Sequence, residues 1–441
     1  MGREAVQEYL AAVGAQIRWR RARRPLLREL SNHMEDQAAE YRAQGMGEDE
    51  ALTKAAAEMG DPEAVGRDLD RLHRPQNRWG LALAALVLTL MGVSVQFLIY
   101  QAGGQGTMDL YARQAAAVPA ALAVLATVWF SDCTLLFRRR WAAPLLLFSA
   151  IPAVLFLCRT SPTEQWSGLH YCALLLPALY AAWICRFQGR GEGWALLCGL
   201  AALALSLPIL QFSSITASGL ALFGMLAVLG AAVELGWFSG KRWRGLLLAW
   251  GPAAVLAAVW LAASPRAAER AAAFLHPERD PAGAGFLFLA LRRDPAPVLR
   301  DTVSSSCDFL LAFLAQQWGR WVFAAAALLL FLAGALLLGG ISRLQSRSGK
   351  LLALSCLLPL LLQWAVYLLF NMGWWPSSVC SLPFLSYGVG YLAVNSVLMG
   401  LLLSVFRMDS LFRDGPPRLV LPERLALPLA GGTLFIEYRR Q

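Results

Sequence analysis

Long apolar runs, separated by short polar segments, occupy most of the chain after Trp79. Each run approaches the roughly 20 residues that an α-helix needs to cross a bilayer. The runs predict ten membrane-spanning helices, near residues 79–101, 113–132, 141–158, 168–186, 193–210, 215–238, 243–263, 318–340, 350–371 and 384–406. The predicted fold is therefore all-α, a polytopic membrane protein of about ten transmembrane helices.

The segment before these runs, residues 1–77, has the pattern of a small helical domain. Apolar residues such as Tyr9, Val13 and Ile17 recur there at helical spacing. Asp61 followed by Pro62 predicts a helix start, because Asp is a favoured N-cap and Pro suits the first helical position. We expect three or four short helices packed as a bundle.

Composition and charge placement fit a membrane protein. The chain is 57% hydrophobic and 15% charged. Bases cluster in alternate loops, as at 138–140 and 241–244, whereas the loops at 101–109 and 161–168 have none. By the positive-inside rule, both termini and the N-terminal bundle are cytoplasmic, in a plasma-membrane protein. Because topology accounts for the excess positive charge, nucleic acid is not an expected partner.

These boundaries divide the chain into a cytoplasmic helical domain (1–77), a transmembrane domain (78–410) and a cytoplasmic tail (411–441). The connection 264–317 is the exception among short loops, and we expect it on the outer face. Long loops in compact domains are commonly functional or disordered. Its apolar middle, FLFLALRR (286–293), is predicted to lie on the membrane surface.

Asp308 lies near the end of this long connection, at the start of an apolar run. An ionisable group at a membrane boundary is costly to desolvate and is therefore a functional-site hypothesis. A general base on the outer face is one interpretation of Asp308. The other is an N-cap for a helix that begins at Phe309.

Several stretches resemble the shape, elongation, division and sporulation family, of the FtsW/RodA/SpoVE type. The stretches are DFLLAFLAQQWG (308–319), NMGWWPSSVCSLPFLSYGVG (371–390) with Asn395 and Gly400, ERAAAFLHPERDPAGAGF (269–286) and, more weakly, YARQ (111–114) with Asp132. Residues 29–51 and 59–75 resemble the helical prefix domain that precedes permease-type proteins in Gram-positive bacteria, which implies a docking or regulatory module.

The resemblance implies a membrane glycosyltransferase that polymerises an undecaprenyl-pyrophosphate-linked peptidoglycan precursor, lipid II, in cell division, cell shape or sporulation. It also implies that Asp308 stands at the position of the family's catalytic aspartate. A class B penicillin-binding protein, a transpeptidase, is the implied partner beside membrane lipid. Arginine or a divalent cation would stabilise the leaving pyrophosphate. The candidate substrate-binding residues are Arg113, Arg270, Gln316, Pro383, Ser386, Tyr387 and Gly388.

The chain also departs from the family pattern. Gln316 and Gln317 replace paired glutamates, Leu287 replaces a glutamine, and Val389 and Gly390 replace Gly and Ser. Two other functions therefore remain open. One is a non-catalytic relative that scaffolds or regulates a division or sporulation complex, and the other is a flippase for lipid II. The lost glutamates favour the scaffold over the flippase.

Overall fold

The computed structural model describes residues 2–74, 78–103, 108–135, 172–212, 215–296, 298–300, 307–379, 381–409, 424–429 and 432–437. Within these residues the chain forms sixteen α-helices and almost no strand, so the all-α prediction is confirmed. The helices are α1 Gly2–Gln16, α2 Arg20–Ala43, α3 Glu48–Glu58, α4 Pro62–His73, α5 Trp79–Gly103, α6 Met108–Phe130, α7 Leu176–Ile184, α8 Gly193–Phe212, α9 Ile215–Glu234, α10 Arg242–Ala263, α11 Pro265–Leu275, α12 Phe286–Arg293, α13 Leu310–Trp318, α14 Trp321–Ser342, α15 Arg347–Asn371 and α16 Val389–Met408.

Helices α1 to α4 form the expected N-terminal bundle around a core that includes Val13, Ile17 and Met34. The predicted start of α4 is confirmed: the Asp61 carboxylate accepts hydrogen bonds from the amides of Glu63 (3.3 Å) and Ala64 (3.0 Å). Trp19, in the turn before α2, packs against both this core and the core of the membrane domain. The bundle therefore rests directly on the membrane domain.

Eight of the described helices are long and apolar enough to span a membrane: α5, α6, α8, α9, α10, α14, α15 and α16. They match eight of the ten predicted spans. The predicted span 141–158 lies outside the described residues. The predicted span 168–186 begins outside them, and its described part is the shorter apolar helix α7.

Four short strands complete the described structure. Arg190–Gly191 (β1) pairs in parallel with Phe238–Ser239 (β2), and Arg424–Leu429 (β3) pairs antiparallel with Gly432–Glu437 (β4). The second pair, which lies in the tail, was not predicted from the sequence. A two-residue separation between strands is the typical spacing of a β-hairpin.

The end of the helix bundle near the N-terminal domain is joined by polar contacts. Asp409 accepts hydrogen bonds from the amides of Gln345 (2.8 Å) and Ser346 (3.2 Å), between α14 and α15. Arg407 donates to the Trp129 carbonyl at the end of α6 (3.2 Å). The outgoing end of α15 therefore lies on the opposite side of the membrane domain, and Asp308 lies there.

Candidate functional site

Asp308 precedes a helix that is too short to span a bilayer. Helix α13 has nine residues, about 14 Å at 1.5 Å per residue. It ends at Gly319, whose φ of 99° is a left-handed conformation that favours glycine. The predicted span 318–340 accordingly begins later, at Trp321. Asp308 and α13 thus lie at this end of the bundle, with Leu310 and Phe313 packed into the main core.

The carboxylate of Asp308 does not cap this helix, so the N-cap interpretation is wrong. Helix α13 begins at Leu310, its cap position is Phe309, and no side chain of the cap residue bonds to the helix amides. The Asp308 side chain is exposed. None of the residues that the structure describes donates a hydrogen bond to its carboxylate. The acid is therefore not occupied by a local structural role.

Two side chains of α15 take the place of a cap. The Tyr367 hydroxyl accepts a hydrogen bond from the Leu310 amide (3.0 Å) and donates to the Cys307 carbonyl (3.0 Å). The Asn371 amide accepts from the Ala312 amide (3.0 Å) and donates to the Asp308 carbonyl (2.9 Å). Because both side chains have a relative exposure of 0%, these bonds form in a dry environment. They fix the backbone on both sides of Asp308.

Apolar side chains surround the same segment. Phe309 stacks on Phe370 with ring centroids 5.6 Å apart, in a cluster that also includes Leu291 and, at its edge, Leu287. Removal of water by the surrounding protein raises the pKa of Asp308 to about 6. Since the side chain is also exposed, the carboxylate lies at a rim, crowded by protein on one side and open to solvent on the other.

The turn 382–388, which contains four predicted substrate-binding residues, is a compact structure. The Ser386 hydroxyl accepts from the Leu382 amide (2.8 Å) and donates to the Leu382 carbonyl (3.3 Å), so it bonds within the turn. Pro383 is buried, whereas Tyr387 and Gly388 are half-buried. Phe384 adopts a φ of 67°, an uncommon conformation for a bulky residue.

Two other helices fit closely against this turn. A Cβ at Gly92 of α5 would overlap the carbonyl oxygen of Phe384, so only glycine allows this approach. Gln114 of α6 is buried, and its side-chain oxygen accepts a hydrogen bond from the Gly388 amide (3.3 Å). The stretches 111–114 and 382–390, both singled out in the sequence, therefore meet in the fold.

The remaining predicted residues lie on the surface. Arg113, Arg270 and Gln316 are all exposed. Neither arginine pairs with an acid among the described residues. In the part of the chain that the structure describes, no three His, Cys, Asp or Glu side chains gather as metal ligands. A divalent cation bound at Asp308 would take its other ligands from pyrophosphate and water.

An arginine that the sequence analysis passed over holds the long connection in place. Arg292 of α12 donates to the carbonyls of Gly373 (3.0 Å) and Phe274 (3.1 Å). Its guanidinium also lies over the rings of Phe274 and Trp374, at 5.2 and 4.9 Å from their centroids. Arginine stacks well on aromatic faces, so Arg292 joins the connection to the end of α15 beside the Asp308 segment.

Sequence reasoning also missed Tyr367 and Asn371, although a signal was present. Gln363, Tyr367 and Asn371 lie four residues apart, on one face of an otherwise apolar helix. Polar side chains buried in a membrane helix usually bond to another helix. This spacing predicts a buried polar stripe, but it does not identify the partner.

The fold and the site together define a polytopic, all-α membrane protein with an exposed carboxylate, that of Asp308, at one end of its helix bundle. A family model described as "Cell cycle protein", of the FtsW, RodA and SpoVE type, matches residues 302–410. This range contains Asp308, α13, α15 and the turn 382–388. The resemblance predicted from the sequence is confirmed over this segment, which matches the family model of the FtsW, RodA and SpoVE type.

A solved structure shares the wider fold. A chain from the structure reported as "Structural coordination of polymerization and crosslinking by a peptidoglycan synthase complex" is 21% identical, with a TM-score of 0.52. The similarity covers 76% of this chain and 98% of that chain. No curated protein sequence matches.

Proposed function

We propose that this protein acts in peptidoglycan synthesis, as a membrane glycosyltransferase that polymerises lipid II on the outer face of the plasma membrane, with Asp308 as general base. The observation that carries the proposal is the state of the Asp308 carboxylate, which is exposed, free of a capping role and raised in pKa to about 6. The family match and the peptidoglycan synthase complex of the structural neighbour support the same class of reaction.

The reaction needs a base where Asp308 lies. A hydroxyl of the acceptor sugar attacks the anomeric carbon of the lipid-linked donor, and the bond from that carbon to the pyrophosphate oxygen breaks. The hydroxyl proton passes to the Asp308 carboxylate, and the lipid pyrophosphate leaves with the bonding electron pair. General-base catalysis contributes roughly 10² to 10⁴ in rate, about 3–5 kcal/mol of barrier. A pKa nearer neutrality makes a carboxylate a stronger base while leaving it ionised at pH 7.

Other groups of the site would serve the leaving group and the lipid. Arg113 and Arg270, exposed and unpaired among described acids, are candidates to meet the pyrophosphate, as is a divalent cation. The turn 382–388 and Gln316 are candidates to contact the sugars. We also propose a class B penicillin-binding protein as partner, since polymerised strands must then be crosslinked.

The test is polymerisation of labelled lipid II by the purified protein, alone and with a class B penicillin-binding protein. We expect Asp308→Asn to lower the rate by at least 10²-fold. Asp132→Asn is the matched control, because Asp132 lies at the other end of the bundle and its carboxylate, among the described residues, accepts only from Thr134 of its own turn. The wild-type rate should rise with pH through about 6, as Asp308 loses its proton. Equal polymer from Asp308→Asn and wild type would rule out the base assignment.

A scaffold without catalysis is the second candidate, and one observation favours it. Gln316 and Gln317, which stand where the family has glutamates, are exposed on the last turn of α13, nine residues or fewer from Asp308. The same assay separates the candidates. No polymer from the wild type, together with polymer from the double variant Gln316→Glu/Gln317→Glu, would indicate a non-catalytic relative. Movement of lipid II across vesicle membranes without polymer would indicate a flippase.

A further inference from the structure

We propose that Tyr367 and Asn371 are positioning residues of this site, which hold Asp308 at the rim by bonding the backbone on both sides of it. The inference rests on the proposed role of Asp308 as base. Neither side chain bonds to the carboxylate itself. Both act on the peptide groups from Cys307 to Ala312.

The hydrogen bonds from Tyr367 and Asn371 to the backbone around Asp308, here called the clamp, replace a local N-cap. The first amides of an α-helix have no partner within the helix and usually bond to the N-cap side chain. Here Asn371 accepts from Ala312, the third residue of α13, which is the bond that an N-cap side chain would make. Tyr367 accepts from Leu310, the first residue. With these amides satisfied from α15, the Asp308 side chain is left available for chemistry.

In the clamp, each hydrogen-bond donor faces an acceptor, so only one orientation of each side chain fits. The Asn371 oxygen faces an N–H group, and its nitrogen donates to two carbonyls, those of Asp308 (2.9 Å) and Tyr367 (3.0 Å). A flipped amide would place like groups against each other. The Tyr367 hydroxyl likewise uses both its donor and its acceptor. Each bond fixes the orientation as well as the distance.

Helix α15 also links the clamp to helix α16. One turn further into the bundle, Gln363 of the same face donates to the Asn395 side chain of α16 (3.1 Å). One stripe on α15 therefore joins α13 on one side to α16 on the other, and α16 follows directly from the turn 382–388. The linked helices α13, α15 and α16 therefore set the distance between Asp308 and the turn 382–388. A displacement of about 1 Å in a catalytic group can cost 10²-fold in rate.

A positioning role and a purely structural role predict different kinetics. If the clamp only stabilises the fold, its loss lowers the amount of folded protein but leaves each folded molecule unchanged. If it positions Asp308, its loss lowers kcat with little change in KM, because the substrate contacts remain. Release of the segment also hydrates the carboxylate, which lowers its pKa and moves the acid limb of the rate profile to lower pH.

The experiment compares full-length Tyr367→Phe and Asn371→Leu with wild type in detergent, measuring lipid II polymerisation against substrate concentration and pH. We expect kcat to fall about 10- to 100-fold. The acid limb of the pH–rate profile should lie at lower pH than in wild type. Ser355→Ala is the matched control, because this buried hydroxyl of α15 bonds within its own helix, to the Leu352 carbonyl and the Cys356 thiol. Asn371→Asp keeps the acceptor for Ala312 but loses the donor to Asp308. Its kcat should lie between those of wild type and Asn371→Leu.

Hydrogen–deuterium exchange provides a readout that does not depend on activity. The amides of Leu310 and Ala312 should exchange faster in Tyr367→Phe and Asn371→Leu than in wild type or Ser355→Ala. Wild-type exchange at these amides, or a wild-type kcat and acid limb per folded molecule, would overturn the positioning role. Failure of the proposed function looks different, because Asp308→Asn would then polymerise lipid II as well as wild type does.

Discussion

At the residue scale, the role of Asp308 could be predicted only in part from the residues around it. Its place at a membrane boundary marked it as a candidate, and the family motif strengthened that interpretation. The cap alternative was equally natural for an aspartate before an apolar helix, but it was wrong. The deciding partners, Tyr367 and Asn371, lie 59 and 63 positions further along the chain. No local pattern at Asp308 contains that information.

The raised pKa of Asp308 predicts how its charge affects stability. A carboxyl whose pKa is higher in the folded state than its usual 3.8 disfavours folding when it is ionised. Its contribution to stability is fully present below about pH 3.8 and is lost as the pH rises through about 6. Asp308→Asn, which mimics the neutral acid, should therefore match wild type near pH 4 and unfold at a higher temperature than wild type at pH 7.5.

Thermal unfolding of both proteins in detergent, from pH 4 to 8, measures this difference. Asp132→Asn, which removes a carboxylate at the opposite end of the bundle, serves again as the control. A wild-type protein that is more stable than Asp308→Asn at pH 7.5 would mean that the ionised carboxylate has a partner after all.

At the element scale, hydropathy located the spans but not their ends near the site. The predicted span 384–406 began inside the turn 382–388, whereas α16 begins at Val389. The residues of this turn are apolar enough to continue a span. Their backbone leaves the helix because Ser386 bonds to Leu382 and because Phe384 adopts a positive φ. An apolar run does not reveal such a turn, although Pro383 and Gly388 hinted at a bend.

The close contact between α5 and this turn predicts a sensitive glycine. Gly92→Ala should cost about 1–3 kcal/mol of stability through overpacking, because its Cβ meets backbone that cannot rotate away. Gly80→Ala is a matched control on the same helix, since nothing lies within 4 Å of a Cβ there. The unfolding temperatures of the two variants measure the effect, and equal values would show that the turn can shift without cost.

At the scale of the whole molecule, the sequence predicted both parts but not their contact. The helical bundle and the spans follow from periodicity and hydropathy, which are local properties. The basic run RWRRARR (18–24) is of a type that faces either solvent or anionic lipid headgroups. In the structure Arg18, Arg20 and Arg24 are exposed, while the Arg18 backbone amide donates to Asp70 (2.8 Å) and the Arg23 side chain donates to the Ile17 carbonyl (2.8 Å). The tryptophan within the run, Trp19, makes the contact with the membrane domain.

This contact predicts that Trp19→Ala loosens the bundle from the membrane domain. Arg78, at the boundary between them, lies over the Phe406 ring of α16 at 5.6 Å from its centroid and should become more accessible. Trypsin cleavage after Arg78 should then accelerate on the order of tenfold, the effect of about 1.4 kcal/mol of lost contact. Leu10→Ala, which removes a side chain from the bundle's own core, is the control. Unchanged cleavage in Trp19→Ala would show that the contact contributes little to docking.

The clamp on α13 has one further consequence for how a phosphorylated lipid could be recognised. Exposed amides at the beginning of a helix commonly attract phosphate groups. At α13 the amides of Leu310 and Ala312 already donate hydrogen bonds to side-chain oxygens of α15, so they cannot bind an anion. Binding of the diphosphate would therefore depend on mobile cationic side chains or on a soluble metal ion, and its strength should fall steeply as salt is added.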